Sequence, residues 1–309
     1  MKTHLLLLPM LSLACVPALQ AASPDLRPWE SVVVQDSGRR KPMQTFGHEV
    51  LVNLSGRDPV AAIDGTQVGG SEFTVSMLYA TRDWAGEPLI LVSHRPLVGQ
   101  LGLEATRKRF SRKELDGVMP QLEQLSREGA AMRRADPEGA LPALNSEAQT
   151  VLQRIALFDS LADTSAFKIA PPPPGSPETA TWLGIAELGA AYPPATSLPV
   201  LKRLRALNSA LRSDDSTVLA GTVSALIDDL RALTPALYPP VRTVERELFY
   251  NRLRPFDSAM WLFAAGTLLV AAGARHGWRR WPLRAGLASS VAGFVIMVVG
   301  ITLRVLIAG

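Results

Sequence analysis

The sequence predicts a mainly α protein, in which an α-rich domain with a few short β segments precedes a two-helix transmembrane hairpin. Charge-free apolar stretches cover residues 258–274 and 285–303, and each approaches the length of a membrane-spanning helix. Between residues 23 and 255, apolar residues recur at helical spacing over several long windows. These observations divide the chain into a domain at 23–255 and a membrane part at 256–309.

The two apolar stretches read as membrane spans because apolar residues surround the whole helix rather than forming one stripe. The alternative is a helical hairpin buried in a globular protein. A short loop at 275–284 separates the stretches and contains four arginines and two tryptophans. Because positive charge stays on the cytoplasmic side of a membrane, this loop is predicted to be cytoplasmic.

The beginning of the chain has the pattern of an export signal. Lys2 precedes an apolar run from Leu5 to Val16, which is too short to span a bilayer comfortably. Residues 1–22 are therefore predicted to be a signal peptide, with a lipoprotein signal lipidated at Cys15 and a retained anchor as alternatives. Together with the basic loop, this signal predicts that the domain at 23–255 is periplasmic and that the inner membrane holds the hairpin.

The charge of the predicted periplasmic domain excludes a global nucleic-acid footprint. Six of the 32 basic residues and one of the 28 acidic residues lie outside 23–255, which leaves 26 basic and 27 acidic residues inside it. The overall charge of +4 therefore comes from the two ends of the chain. No nucleic-acid partner is expected.

The sequence contains few residues suited to catalysis or metal binding. Cys15 is the single cysteine and falls in the predicted signal, so the mature domain has no disulfide and no thiol nucleophile. The four histidines, His4, His48, His94 and His276, lack the spacing of metal ligands. His48, beside Glu49, could contact a cofactor or serve a structural role. No catalytic activity is expected of this chain alone.

Apolar periodicity and turn residues predict the elements of the domain at 23–255. Strands are expected at 29–35 and 88–92, and helices at 43–54, 71–84, 111–134, 141–162, 198–234 and 241–254, the fifth broken near 213–216. The proline run at 171–174 predicts a stiff connection between subregions. The last helix could continue into the membrane or be kinked at Pro255.

Two segments resemble the large bacterial cytochrome c biogenesis proteins of the CcsA type, the heme-handling half of System II. Residues 34–46, read as VQDSGRRKPMQTF, are similar to the family's "VQ-x-GR-x-KP-x-x-T" stretch. Residues 245–256, read as ERELFYNRLRPF, are similar to its "E-x-x-YN-x-x-x-PF" entry to the first membrane helix. Between them, residues 77–102 resemble the family's order of a tryptophan, a "PLI" strand and a late "LGL".

The resemblance implies a membrane-anchored module that positions the heme-handling core or the apocytochrome. Its implied partners are the remaining CcsA-type core, a ResB-like subunit, the apocytochrome c and the membrane. The implied binding residues are Gln35, Gly38, Arg39, Arg40, Lys41, Pro42 and Thr45, with Tyr250, Asn251 and Pro255 at the membrane junction. Arg39, Arg40 and Lys41 are the expected contacts of heme propionates, because charge-assisted bonds to carboxylates are strong.

The sequence ends at Gly309, where the family's tryptophan-rich heme-handling region would begin. A truncated or split gene product, or one subunit of a larger complex, is therefore expected, with heme reached only through the assembled complex. The implied binding residues have an alternative role in forming the fold. The alternative function is a membrane-tethered periplasmic scaffold or binding protein without a heme role.

Overall fold

The structure is a computed structural model that describes residues 25–213, 215–275 and 280–308. It consists of a helical domain with three two-stranded antiparallel sheets, followed by two long apolar helices. The predicted fold class is thereby confirmed. The predicted signal at 1–22, with Cys15, and residues 276–279 of the predicted loop lie outside the described residues.

The described chain begins with a short helix and a β hairpin. Helix α1 (Arg27–Glu30) begins beside Pro28, whose fixed φ suits a first helical turn, so the strand predicted from residue 29 starts later. Strand β1 (Val33–Asp36) pairs antiparallel with β2 (Arg39–Pro42). Ser37 and Gly38 both have positive φ, which gives the tight turn that right-twisted hairpin strands require.

Helix α2 (Met43–Ser55) follows β2 directly and matches the predicted helix at 43–54. It crosses α3 (Gly70–Leu78) with backbone against backbone, since a Cβ added at Gly47 would lie 2.5 Å from the carbonyl oxygen of Gly70. The helix predicted at 71–84 ends at Leu78 instead. Trp84 lies in a separate 3₁₀ turn, and its ring packs against Phe73 at a centroid distance of 4.8 Å.

The longer remaining helices of the domain follow the predicted windows, with one further break, whereas the short helices Arg95–Gln100 and Leu188–Ala191 were not predicted. The window at 111–134 forms two helices because Pro120 suits the first turn of a new helix. Asp215 caps the helix that follows the predicted break near 213–216. The elements are β3 (Val60–Ala61), β4 (Gln67–Val68), β5 (Ile90–Leu91), α4 (Arg95–Gln100), β6 (Arg109–Phe110), α5 (Arg112–Asp116), α6 (Met119–Ala135), α7 (Ala143–Ala162), α8 (Leu188–Ala191), α9 (Pro194–Arg212) and α10 (Ser216–Leu233).

One hydrophobic core joins these elements. Trp29 and Trp182 are among its largest fully buried side chains. The proline run at 171–174 connects α7 to the later helices and is fixed at its start by two buried hydrogen bonds. The Tyr192 hydroxyl donates to the carbonyl of Pro171, and the Thr234 hydroxyl donates to that of Pro172. The connection is therefore anchored to the core.

The end of the chain forms three helices, α11 (Val241–Leu253), α12 (Pro255–Arg275) and α13 (Arg280–Ala308). Arg254, between α11 and α12, has a left-handed backbone with φ of 44°, so the junction is kinked. Pro255 favours this break, because a proline disfavours helical backbone in the residue before it. The segments Val241–Ala274 and Arg280–Ile307 each contain a stretch long and apolar enough to cross a membrane.

Helices α12 and α13 pack as an antiparallel pair along a line of small residues. Gly286, Gly293 and Gly300 recur every seven residues on α13 and face Gly266, Ala259 and Pro255 of α12, respectively. A Cβ added at Gly286 would lie 2.8 Å from the carbonyl oxygen of Gly266, so the backbones touch. Helix α13 already begins at Arg280, so the predicted loop at 275–284 is too long. Pro282 lies within the first turn of α13, which tolerates proline.

We expect Gly47→Ala to destabilise the full chain by about 2 kcal/mol, because the added methyl group would overlap the backbone of α3. The measurement is thermal unfolding of the detergent-solubilised protein. Gly221→Ala is the matched control, since Gly221 lies within α10 with open space around it. That change should be neutral or stabilise the protein by about 0.5 kcal/mol. Equal stabilities of the two variants would contradict the close helix crossing.

Candidate functional site at the junction of the domain and the apolar helices

The two segments that carry the resemblance meet in the structure. The Thr45 hydroxyl at the start of α2 donates to Glu247 Oε1 of α11 at 2.8 Å, across 202 residues of sequence. Asn251, one turn later on α11, donates to Thr45 Oγ1 at 2.9 Å and to Gln44 Oε1 at 3.3 Å. We call Arg39, Gln44, Thr45, Glu247 and Asn251 the clasp. It fixes α11 against the start of α2.

Glu247 is the centre of the clasp. Its side chain is 6% exposed, and its Oε1 atom lies 2.8 Å from Arg39 Nη2 while also accepting the Thr45 hydroxyl. A buried carboxylate needs a paired charge, and Arg39 supplies it from the first residue of β2. Val244 and Leu248 flank Glu247 on the same buried face of α11. The buried face of α11 thus places the carboxylate of Glu247 against the β1–β2 hairpin.

Three other predicted site residues lie in the β1–β2 hairpin itself: Gly38, Lys41 and Pro42. Lys41 is 5% exposed, and its Nζ lies 2.8 Å from Asp36 Oδ2 and 2.5 Å from Glu49 Oε2. Burial lowers the pKa of the Lys41 ammonium group, but its hydrogen bonds to Asp36 and Glu49 outweigh burial and leave the pKa raised. Pro42 ends β2, and Gly38 forms the turn.

Gln35 and Arg40 bind the segment around residue 180. The Gln35 amide oxygen accepts the backbone N–H of Trp182 at 2.7 Å, and its amide nitrogen donates to the carbonyl of Ala180 at 3.3 Å. Arg40 Nη2 donates to the carbonyl of Glu178 at 2.9 Å. These contacts connect β1 and β2 to the chain that follows the proline run. The structure therefore separates Gln35 and Arg40 from the membrane junction residues.

Beside the clasp lies a groove with a volume of about 910 Å³, which we call the junction groove. It is bordered by the domain on one side and by the ends of α12 and α13 on the other. The residues that line it include Arg39, Thr45, His48, Asp58, Glu72, Glu247, Tyr250, Asn251, Arg254, Pro255, Phe256, Asp257, Arg304 and Ile307. Five predicted site residues, Arg39, Thr45, Tyr250, Asn251 and Pro255, therefore line one groove.

His48 belongs to this groove with a partner that sequence reasoning missed. Its Nδ1 lies 2.8 Å from Asp58 Oδ2, whereas Asp58 Oδ1 accepts the backbone N–H of Gly70 at 3.1 Å. A proton on His48 Nδ1 would be donated to the carboxylate of Asp58. Asp58 follows α2 by three residues in a loop, so helical spacing gave no sign of the pair.

Glu72 is another groove residue that the sequence did not single out. It lies in the first turn of α3, and burial raises the pKa of its carboxyl group above the usual range, with Arg82 opposing the shift. Within residues 25–213, 215–275 and 280–308, no group of three or more histidine, cysteine, aspartate or glutamate side chains could hold a metal ion.

No protein-family model matches the chain. Over 83 residues the chain is 34% identical to Protein NrfI of Wolinella succinogenes. The match covers 26% of this chain and 9% of NrfI. The chain therefore corresponds to less than a tenth of the length of this relative.

We expect Glu247→Ala to destabilise the full chain by about 2 kcal/mol, because it leaves the Thr45 hydroxyl and part of Arg39 without an acceptor. Thermal unfolding in detergent measures the change. Glu245→Gln, on the exposed face of the same helix, is the matched control and should change stability by less than about 0.5 kcal/mol.

A double-mutant cycle with Arg39→Gln isolates the ion pair. A coupling free energy of about 1 kcal/mol between positions 39 and 247 is expected, because Glu247 is buried although Arg39 is 47% exposed. Additive effects of the two substitutions would mean that the ion pair does not hold α11 to the hairpin.

Proposed function

We propose that this chain is a membrane-anchored module of a c-type cytochrome biogenesis system. In this role it positions the heme-handling core or the apocytochrome on the outer face of the inner membrane. The 34% identity to NrfI over 83 residues supports the general role in cytochrome c biogenesis. The partners and the positioning role are part of the proposal.

The observation that carries the proposal is the clasp. The two segments that resemble the CcsA-type proteins are about 200 residues apart in sequence, yet Thr45 and Glu247 form a direct hydrogen bond. One segment belongs to the domain, and the other leads into the first apolar helix. The contact between the two segments explains the shared pattern physically, because it sets the position of the domain relative to helices α12 and α13.

The proposed topology places the domain at 23–255 in the periplasm and the basic segment between α12 and α13 in the cytoplasm. Arg275 ends α12, and Arg280 and Arg284 lie in the first turns of α13, so the basic residues cluster at one end of the hairpin. The clasp and the junction groove lie at the opposite end.

A reporter enzyme that works only in the periplasm should be active when it is fused near residue 150, and a reporter that works only in the cytoplasm should be inactive there. A reporter active in the cytoplasm would overturn this topology.

We expect deletion of the chain to abolish covalent c-heme formation in cells that express the CcsA-type core and an apocytochrome. Heme staining of denatured cytochromes measures the product. Expression of the wild-type chain should restore it, and Glu245→Gln should restore it equally. Normal c-heme levels after the deletion would remove the assembly role.

The second candidate is a membrane-tethered scaffold or binding protein without a heme role. The use of Gln35 and Lys41 in buried contacts favours it, because those residues then need no ligand. The discriminating measurement is capture of purified apocytochrome by the detergent-solubilised full chain. Capture together with lost c-heme in the deletion supports assembly, whereas normal c-heme supports the scaffold.

A further inference from the structure

We infer that the junction groove binds one membrane phospholipid, with its phosphate at Arg304 and an acyl chain along Phe256 and Met260. This inference requires the two apolar helices to lie in a membrane, but it is independent of the cytochrome role. It rests on the position of Arg304, the charge pairing in the groove and an exposed apolar face below it.

Arg304 lies directly above the apolar part of the groove. It is one helical turn after Gly300 and therefore on the same face of α13. Phe256 reaches this face, since a Cβ added at Gly300 would lie 3.9 Å from Phe256 Cζ. The charged guanidinium and the aromatic ring thus border the same groove, at the end of the hairpin where α11 joins α12.

Charge pairing leaves Arg304 as the guanidinium available to a ligand. Among the residues that the structure describes, Arg39 pairs with Glu247 at 2.8 Å and Arg254 pairs with Asp257 at 2.7 Å. No carboxylate lies within ion-pair distance of Arg304 in the same described ranges. Six carboxylates line the groove, and four of them pair with basic side chains: Glu30 with Arg252, Glu49 with Lys41, Glu247 with Arg39 and Asp257 with Arg254. Because these pairs neutralise most of the groove's negative charge, Arg304 is the groove cation that can bind an anionic group.

A phosphate suits this position better than water or a carboxylate of the chain. An arginine within an apolar helix is costly unless it reaches the membrane surface or a partner of opposite charge. The guanidinium binds phosphate oxygens through two parallel hydrogen bonds, and phospholipid phosphates lie at the depth that a terminal arginine reaches. Arg304 lies four residues before the end of α13, which is consistent with that depth.

The face below Arg304 is apolar and exposed. Phe256 is 41% exposed, and Met260, one turn later on α12, is 55% exposed. An acyl chain lying along these side chains would continue from a phosphate at Arg304 into the hydrocarbon. Trp261 is exposed beside them, as expected for an interfacial aromatic residue. The combination of a cation and an adjoining apolar strip distinguishes a phospholipid from a free phosphate.

The test is native mass spectrometry of the full chain in detergent, titrated separately with three probes. Short-chain phosphatidylglycerol carries both phosphate and acyl chains, diacylglycerol carries only the chains, and glycerol phosphate carries only the phosphate. We expect one phosphatidylglycerol per chain, with at least about ten-fold weaker binding of the other two probes. Equal binding of glycerol phosphate, or of diacylglycerol, would overturn the assignment.

Three variants locate the site. Arg304→Gln should weaken phosphatidylglycerol binding about ten-fold, and Arg304→Lys should weaken it less, because lysine keeps the charge but not the paired hydrogen bonds. Arg284→Gln is the matched control on α13, at the end of the helix away from the groove, and should bind as the wild type does. Unchanged binding by Arg304→Gln, or equal loss in Arg284→Gln, would show that the groove is not the site. Unchanged thermal unfolding of each variant excludes misfolding as the cause.

Discussion

The buried carboxylate of Glu247 is the constraint on which the arrangement of this molecule depends. It forms an ion pair with Arg39 and accepts a hydrogen bond from the Thr45 hydroxyl. These two residues belong to different elements and lie far from Glu247 in sequence. A carboxylate removed from water without such partners would cost several kcal/mol, on the order of its desolvation penalty. Helix α11 can therefore bury its face only where the hairpin and the start of α2 present these two groups together. This requirement fixes the orientation of α11, and with it the direction from which the chain enters α12.

The junction groove forms because the chain is kinked at Arg254, between the fixed helix α11 and the first apolar helix α12. If α11 and α12 formed one straight helix, the domain would stand off from the end of α13. The left-handed backbone of Arg254 instead lets α11 contact the last turns of α13, where Gly300 allows Pro255 to approach. The glycine line between α12 and α13 keeps these ends close together, since any larger residue would separate the backbones. The groove is therefore defined by small residues and a proline as much as by its polar lining.

The sequence predicted those features that depend on local chemistry. The helix at 43–54 and the break near 213–216 follow from apolar periodicity and turn residues, and the structure contains both. The predicted helix at 71–84 was too long, because apolar residues such as Trp84 pack equally well from a 3₁₀ turn. The pair of His48 and Asp58 and the contacts of Glu247 join residues from separate elements, and the periodicity and turn residues of a single sequence do not reveal such contacts. Five of the predicted site residues line the groove, whereas Gln35, Gly38, Arg40, Lys41 and Pro42 lie around the β1–β2 hairpin.

The division between these two groups bears on why the segment at 34–46 has its particular residues. Gln35 accepts the buried N–H of Trp182, and the buried Lys41 pairs with the partly exposed Asp36 and Glu49, so both residues serve the hairpin whatever the protein binds. Arg39 and Thr45 contact Glu247 instead, and they are needed only where α11 leads into α12 at this angle. A scaffold could tolerate a different entry angle, because a tether requires only that the domain stay attached. A protein that holds a second membrane component in place could not, since a change of angle at the clasp would displace the whole domain relative to that component. The buried carboxylate at this junction is therefore consistent with the proposed positioning role and is not needed by a simple tether.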